Sequence, residues 1–435
     1  MRTIIIFLLL CVSASIASGQ HRAITLTESK KAALAYSNAI KNGQIRVKSA
    51  EAGLKAAKAN QLPGISGTGL GVYGFKDIIP PIPEVLNNGI NNLYSIGVTG
   101  TQNIYAGGKV ITSGKLAELQ IEASKILASQ SVDSVLLLTE QKYWTIVNLQ
   151  EQQKTILANE TLLKSVLKLQ QDMLASGLIA RNDLLKARVQ LGQLLVTKSK
   201  LKNNKMLALF DFSVYTGLPY DSLMVMQDTL NKNGIPSLLD IAPDTTLTGL
   251  NSYQLLELNV KSNALQTILE KGNNLPSLSV GISASQAGSF NGAFKSSFMP
   301  LGFGTLSIPI SENIWGGNRQ KVKQRRLNEQ IARNNFSDGQ NQLQVGILKY
   351  WYDLKDAITQ INFAKESLSQ ATENLKVNQD NYKAGLNNVS DVLDAQAAYQ
   401  QAETTLNTAY TDLEIKRASY RYATGKINEN SQLSR

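Results

Sequence analysis

Gly177-Leu178-Ile179-Ala180-Arg181-Asn182-Asp183-Leu184-Leu185-Lys186-Ala187 returns roughly 208 residues later as Gly385-Leu386-Asn387-Asn388-Val389-Ser390-Asp391-Val392-Leu393-Asp394-Ala395. Just upstream, Gln171-Asp172 is matched by Gln379-Asp380, and Lys142-Tyr143-Trp144 by Lys349-Tyr350-Trp351. Further back, Gln102-Asn103-Ile104-Tyr105-Ala106-Gly107-Gly108-Lys109 is matched by Glu312-Asn313-Ile314-Trp315-Gly316-Gly317-Asn318; downstream, Thr216-Gly217 is matched by Thr424-Gly425. All these pairs stand roughly 207 to 210 residues apart, which marks a duplicated structural unit. The copies occupy residues 20–217 and 249–426, joined by a linker at 218–248 and followed by a polar tail at 427–435.

Both copies keep the same order of parts. Residues 26–60 are rich in Ala and Lys and lack Pro, a helical composition that Pro63-Gly64 ends. Pro276 does the same after the helix expected at 250–271. Glycine-rich stretches follow at 65–75 and 94–105, then at 278–290 and 301–310, where period-two alternation (Tyr94, Ile96, Val98; Leu278, Val280, Ile282) predicts strands. Polar loops at 76–92 and 291–300 separate them. A Gly-Gly turn then opens a helix at about 108–176 and again at about 317–384, each ~100 Å long at 1.5 Å per residue. Leu149, Ile156 and Leu163, like Ile347, Leu354, Ile361, Leu368, Leu375 and Tyr382, recur every seven residues, the period of coiled-coil packing. Helix packing fully explains this stripe. Turns at Gly177 and Gly385 reverse the chain into shorter helices at 183–215 and 391–423. The fold class is mainly α with a small β part.

Four strands make an open sheet, whose edges cannot be exposed to lipid. Either the sheet is soluble, or several chains close a barrel together. Weak alternation, abundant glycine and aromatic residues near the strand ends (Tyr73, Phe75, Tyr94, Tyr105, Phe303, Trp315) suit a membrane barrel, and single strands of this kind occur in soluble sheets too.

The chain of 435 residues opens with Arg2, an apolar run, and Ala17 and Gly19 before Gln20, which reads as a secretory signal peptide over residues 1–19. The run is too short to cross a bilayer. Cys11 raises a lipoprotein reading, but Leu10 before it is too bulky for that signal. With Cys11 the sole cysteine and His21 the sole histidine, the exported chain has no thiol, no disulfide, no His/Cys metal site and no His-based triad. No cofactor site is expected, and no polar cluster stands at catalytic spacing, so the chain reads as a non-enzyme. Its 44 basic and 33 acidic residues (net +11) are spread along helices rather than set among aromatics, which argues against nucleic-acid binding.

This order of parts resembles the TolC-type outer-membrane efflux proteins from about Thr25 to Lys426. Tyr382-Lys383-Ala384-Gly385 with Val389-Ser390-Asp391-Val392-Leu393-Asp394-Ala395-Gln396 is similar to the family's second-copy tip, and Gly177 to Leu184 to its first. The resemblance implies a homotrimer: a twelve-stranded barrel in outer-membrane lipid, continuous with a twelve-helix tunnel in the periplasm. It implies docking to a periplasmic adaptor (membrane fusion) protein and an inner-membrane RND or ABC pump. It places adaptor contacts at the exposed tips, Gly177, Leu178, Ile179, Ala180, Gly385, Leu386 and Asn388. It also implies a periplasmic gate drawing on Asp183, Lys186, Tyr382, Asn387, Asp391 and Asp394, in which Asp391 and Asp394 ring the entrance and Tyr382 bonds to Asp183. Asn387 departs from the family by replacing an arginine. Lys186, at the first-copy position of Asp394, is placed to pair with it across the interface.

Capping alone explains part of this pattern. Gly177 and Gly385 suit helix ends; Asn182 and Ser390 are candidate N-caps, with Asp183 and Asp391 in the first turn. The expected function is an exit duct of a tripartite efflux or type I secretion system. A soluble periplasmic coiled-coil adaptor or a scaffold protein is the alternative, although such adaptors usually carry one hairpin rather than a duplicated unit.

Overall fold

The computed structural model describes residues 23–82, 84, 89–230, 243–290, 292, 294–310 and 314–428. The signal peptide with Cys11 and His21, residues 231–242 of the linker, Glu312 and Asn313, and the tail beyond 428 lie outside the described residues.

In chain order the elements are β1 (Ala23–Ile24), α1 (Leu26–Tyr36), α2 (Asn38–Ala59), β2 (Gly64–Tyr73), β3 (Asn92–Tyr105), α3 (Lys109–Ala175), α4 (Arg181–Thr216), β4 (Val225–Met226), α5 (Asn251–Gly272), β5 (Ser277–Gly288), β6 (Ser297–Ser307), α6 (Gly317–Lys383) and α7 (Val389–Ala423). The helix expected at 26–60 is two helices. Thr25 and Glu28 form a capping box at the start of α1, and Ser37 leaves helical geometry at φ −54° and ψ 121°. Contacts divide the chain into two compact units, each taking matching segments from both copies.

The first unit comprises Met1–Lys41, Gln130–Leu250 and Gln342–Arg435. Its apolar side chains follow the seven-residue stripes. Ile156 and Leu163 of α3 pack with Ala187, Leu194 and Leu201 of α4 and with Val389 and Leu393 of α7. Leu354, Ile358 and Ile361 of α6 pack with Leu406, Tyr410 and Leu413 of α7. Each Leu, Ile or Val so buried contributes ~1.5–3 kcal/mol. A third cluster seats the short parallel β1–β4 pair on α3. There the buried Tyr143 hydroxyl lies 3.0 Å from the Ile24 carbonyl and accepts the Asp228 N–H at 3.1 Å, while Gln150 accepts from the Met226 N–H at 2.8 Å. Burial, first, and the adjacent Asp228 carboxylate push the Tyr143 hydroxyl far above its ordinary pKa. Buried charge also occurs here: the carboxylate of Glu140, whose side chain is fully buried, is held by Lys30 and by Arg421 at 2.6 Å.

The second unit comprises Asn42–Ser129 and Asn251–Asn341 and contains the antiparallel sheet, in the order β2-β3-β5-β6. The register pairs Gly69 with Ile96, Val98 with Ala284, Gly100 with Ile282, and Ile282 with Gly302. Because paired residues share a face, one face carries Ile65, Ile96, Val98, Val280, Ile282, Pro300 and Leu306 among glycines. The other carries a band of Ser66, Thr68, Thr99, Ser283 and Ser285, continued on β6 by Leu301 and Phe303; Thr99 and Ser283 hydrogen-bond across it at 3.1 Å. No strand of this sheet contains a charged residue. The apolar face is bare: Ile65 is 77% exposed and Ile282 73%. Among the described residues no helix is long and apolar enough to cross a membrane.

Candidate functional site

Both expected tips are built by one device. At the end of α3 the Gly177 N–H donates to the Leu174 carbonyl and the Leu178 N–H to the Met173 carbonyl; at the end of α6, Gly385 donates to Tyr382 and Leu386 to Asn381. These paired bonds are Schellman endings, and they place Gly177 and Gly385 at φ +73° and +74°, which glycine adopts without cost to a side chain. The following Leu178 and Leu386 stand out into solvent, 71% and 76% exposed. Ile179 is half-buried and Ala180 exposed.

The N-caps differ from the sequence expectation. Asn388, not Ser390, caps α7: its side chain accepts from the Ser390 and Asp391 N–H groups, and Asp391 accepts in return from the Asn388 N–H at 3.1 Å. Ser390 is therefore already inside the helix. In the first copy Ala180 takes the extended N-cap position and offers no side-chain bond, so Asn182 also falls within the first turn. Ala180 and Asn388, matched positions of the two copies, both take the extended N-cap conformation, but only Asn388 has a side chain that can cap.

The predicted gate residues assemble around the starts of α4 and α7 with altered partners. Lys186 lies 3.7 Å from Asp183 and donates to the Ser390 hydroxyl at 2.9 Å, so it ties the two tips together within one chain. Asp394 is exposed one turn beyond Asp391. Tyr382 does not meet Asp183. Its hydroxyl accepts from the Gln170 amide and donates to the Met173 sulfur at 3.3 Å, while its ring packs against the cluster of Ile156, Leu163 and Val389. Asn387 points back along α6, donating to the Asn378 side chain at 2.9 Å and the Asn378 carbonyl at 3.2 Å. A short amide turned onto its own helix replaces the charge that an arginine would extend.

Gln170, Met173 and Asn378 are thus partners of the candidate residues that the sequence reading missed. The signal for Gln170 exists: it is the next member of the Leu149, Ile156, Leu163 series, a polar residue at a seam position, and it is fully buried. Asn378 is its counterpart in the second copy. Higher on the same helices, Glu160 accepts from Lys198 of α4 and Lys164, and these lysines hold its carboxyl below the usual range.

An open, uncharged sheet with one apolar face, joined to very long paired helices, is an arrangement that suits a membrane channel. Residues 31–211 and 254–426 match the family model for outer membrane efflux proteins, and the chain belongs to that family. Comparison with curated proteins gave no match. Among solved structures, the fold is similar to the CmeC outer membrane channel of Campylobacter jejuni, at 18% identity and a TM-score of 0.77, covering 92% of this chain and 85% of that one. It is similar to VceC of Vibrio cholerae at 14% identity and 0.75, covering 92% and 96%. It is similar to the open state of Neisseria gonorrhoeae MtrE at 14% identity and 0.73, covering 94% and 90%. Family membership places the protein in the outer membrane as a transport channel, rather than among soluble adaptors or scaffolds.

Proposed function

We propose that three copies close their sheets into one twelve-stranded barrel and that the assembly is the exit duct of a tripartite efflux or type I secretion system. The uncharged sheet with a bare apolar face carries this reading. Exposed apolar surface of that extent is costly in water and favourable in lipid, and the two open edges need partners before lipid tolerates them. The helices then extend into the periplasm, and an adaptor and an inner-membrane RND or ABC pump deliver cargo at the tips. Leu178 and Leu386, exposed beside their glycine turns, are the adaptor contacts. Asp391 and Asp394, repeated threefold, give the entrance a negative potential that attracts cations. Closure rests on Tyr382 with Gln170 and on Lys186 with Ser390, with Asn387 contributing no charged link. The test is isolation from outer membranes: a heat-modifiable trimer that conducts in planar bilayers is expected, and a monomer without conductance refutes the proposal.

A further inference from the structure

We propose that a basic cleft beside the start of α6 binds the phosphate of an anionic phospholipid headgroup. The cleft, about 610 Å³, is lined by Lys271 of α5, by Asn274, and by Arg319, Val322, Lys323 and Arg326 of α6. Four of its six lining residues are cations, and none is a carboxylate. The neighbouring acids make their ion pairs with cations outside the cleft, Glu270 with Arg325 at 3.7 Å and Glu329 with Arg333 at 2.9 Å, and Glu329 also feels the charge of a cleft residue, Lys271. Among the described residues, no carboxylate lies within 4.0 Å of Lys271, Arg319, Lys323 or Arg326. The charge is also misplaced for helix stability. Arg319 occupies the first turn of α6, which has no acidic residue, although the positive end of the helix dipole favours anions. A bound phosphate relieves both the mutual repulsion and the dipole conflict.

The position selects the source of that phosphate. Lys271 precedes β5 by a short turn, Arg319 stands twelve positions after Ser307, the last residue of β6, and Ser277 pairs with Ser307, so the cleft lies toward the helix-side end of the sheet. The apolar face of that sheet offers acyl chains a surface where a free anion has none. This inference rests on the reading of the sheet as membrane-spanning.

Detergent-purified full-length protein is titrated with phosphatidylglycerol, phosphatidylcholine or inorganic phosphate, and bound lipid is counted by native mass spectrometry. Phosphatidylglycerol is expected to be retained and phosphatidylcholine not. R319Q/K323Q weakens retention by roughly 25-fold, from about fivefold per cation. K200Q/K202Q, which removes two exposed lysines of α4, leaves it unchanged. Equal retention by R319Q/K323Q and the wild type, or equal retention of the two lipids, overturns the site. Displacement of the lipid by inorganic phosphate at equal concentration overturns the lipid assignment in favour of a soluble anion. Oligomer mobility and outer-membrane fractionation of the wild type and of R319Q/K323Q are read in parallel: a wild type that neither forms the oligomer nor fractionates with the outer membrane refutes the membrane reading, whereas a wild type that does both but binds the lipids unselectively refutes only the cleft.

Discussion

Replacing Tyr382 by Phe isolates the contact that the structure substitutes for the expected Tyr382–Asp183 bond. The ring is retained, so packing against Leu163 and Val389 stays intact and only the hydroxyl is lost. Gln170 is fully buried, and its side-chain oxygen has no partner; the Tyr382 hydroxyl is what its amide nitrogen reaches. Stranding that buried donor costs about 1–3 kcal/mol. Local opening of the tip should therefore rise by roughly 5- to 150-fold, at 1.4 kcal/mol per factor of ten. Hydrogen exchange across residues 376–391 reads this directly, with slow exchange in the middle of α3 as an internal control. Asp183→Ala provides the contrast. Its pair with Lys186 is long and partly exposed, and such pairs contribute about 0–1 kcal/mol, so exchange should change by less than about fivefold. Two results refute the reasoning: exchange in Tyr382→Phe within twofold of wild type, or an effect of Tyr382→Phe that disappears in an Asp183→Ala background. The second outcome would mean that Tyr382 works through Asp183 after all.

Three further expectations follow from particular contacts. Glu140→Gln leaves Lys30 and Arg421 facing a neutral group inside the protein, a loss of about 3–5 kcal/mol that should lower the melting temperature of the purified protein; an unchanged melt refutes this. Asp244 is held at a pKa of about 2, first by its hydrogen bond to Lys426 and then by the Thr246 N–H. Because the folded-state value lies below the ordinary 3.8, this contribution is complete above pH ~4 and fades as pH falls toward ~2; Lys426→Met should shrink that dependence in urea melts taken across this window, leaving the part that the Thr246 bonds supply. In the sheet, Ile282→Lys puts a charge on the apolar face and should cost about 2–4 kcal/mol at mid-membrane, blocking assembly, whereas Ser283→Lys on the hydroxyl-bearing face should assemble normally. Equal assembly of the two variants would rule out the assignment of that apolar face to lipid.

Local signals were the legible ones. Glycine pairs and proline stops placed the ends of α3, α6 and the strands within a few residues, because helix termination is a property of neighbouring residues. The seven-residue stripes predicted the buried sides of α3 and α6 for the same reason. Breaks without such punctuation were not visible: Tyr36-Ser37-Asn38 contains neither Gly nor Pro, yet divides α1 from α2. Nor were contacts between distant segments. The β1–β4 pair joins two-residue strands roughly 200 positions apart, too short to leave a pattern. The partner of Tyr382 depended on which residue faces it across the seam, and Gln170 reads as an interruption of the stripe until its burial is known. The division of the sheet into apolar and hydroxyl faces likewise emerged only with the register, since strands β2 and β6 alternate weakly on their own.

The order β2-β3-β5-β6 has a consequence for how copies can join. The duplicated halves meet through β3 and β5, so the free edges are unlike: β2 from the first copy and β6 from the second. Unlike edges associate head to tail, and a head-to-tail contact repeats until curvature brings the last copy back to the first. The number of copies is then a property of how far this glycine-rich sheet bends, and no edge sequence has to encode it. One chain damaged in β2 alone would still offer a sound β6, enter a growing arc and stop it, so a single defective copy would poison the ring for its intact neighbours.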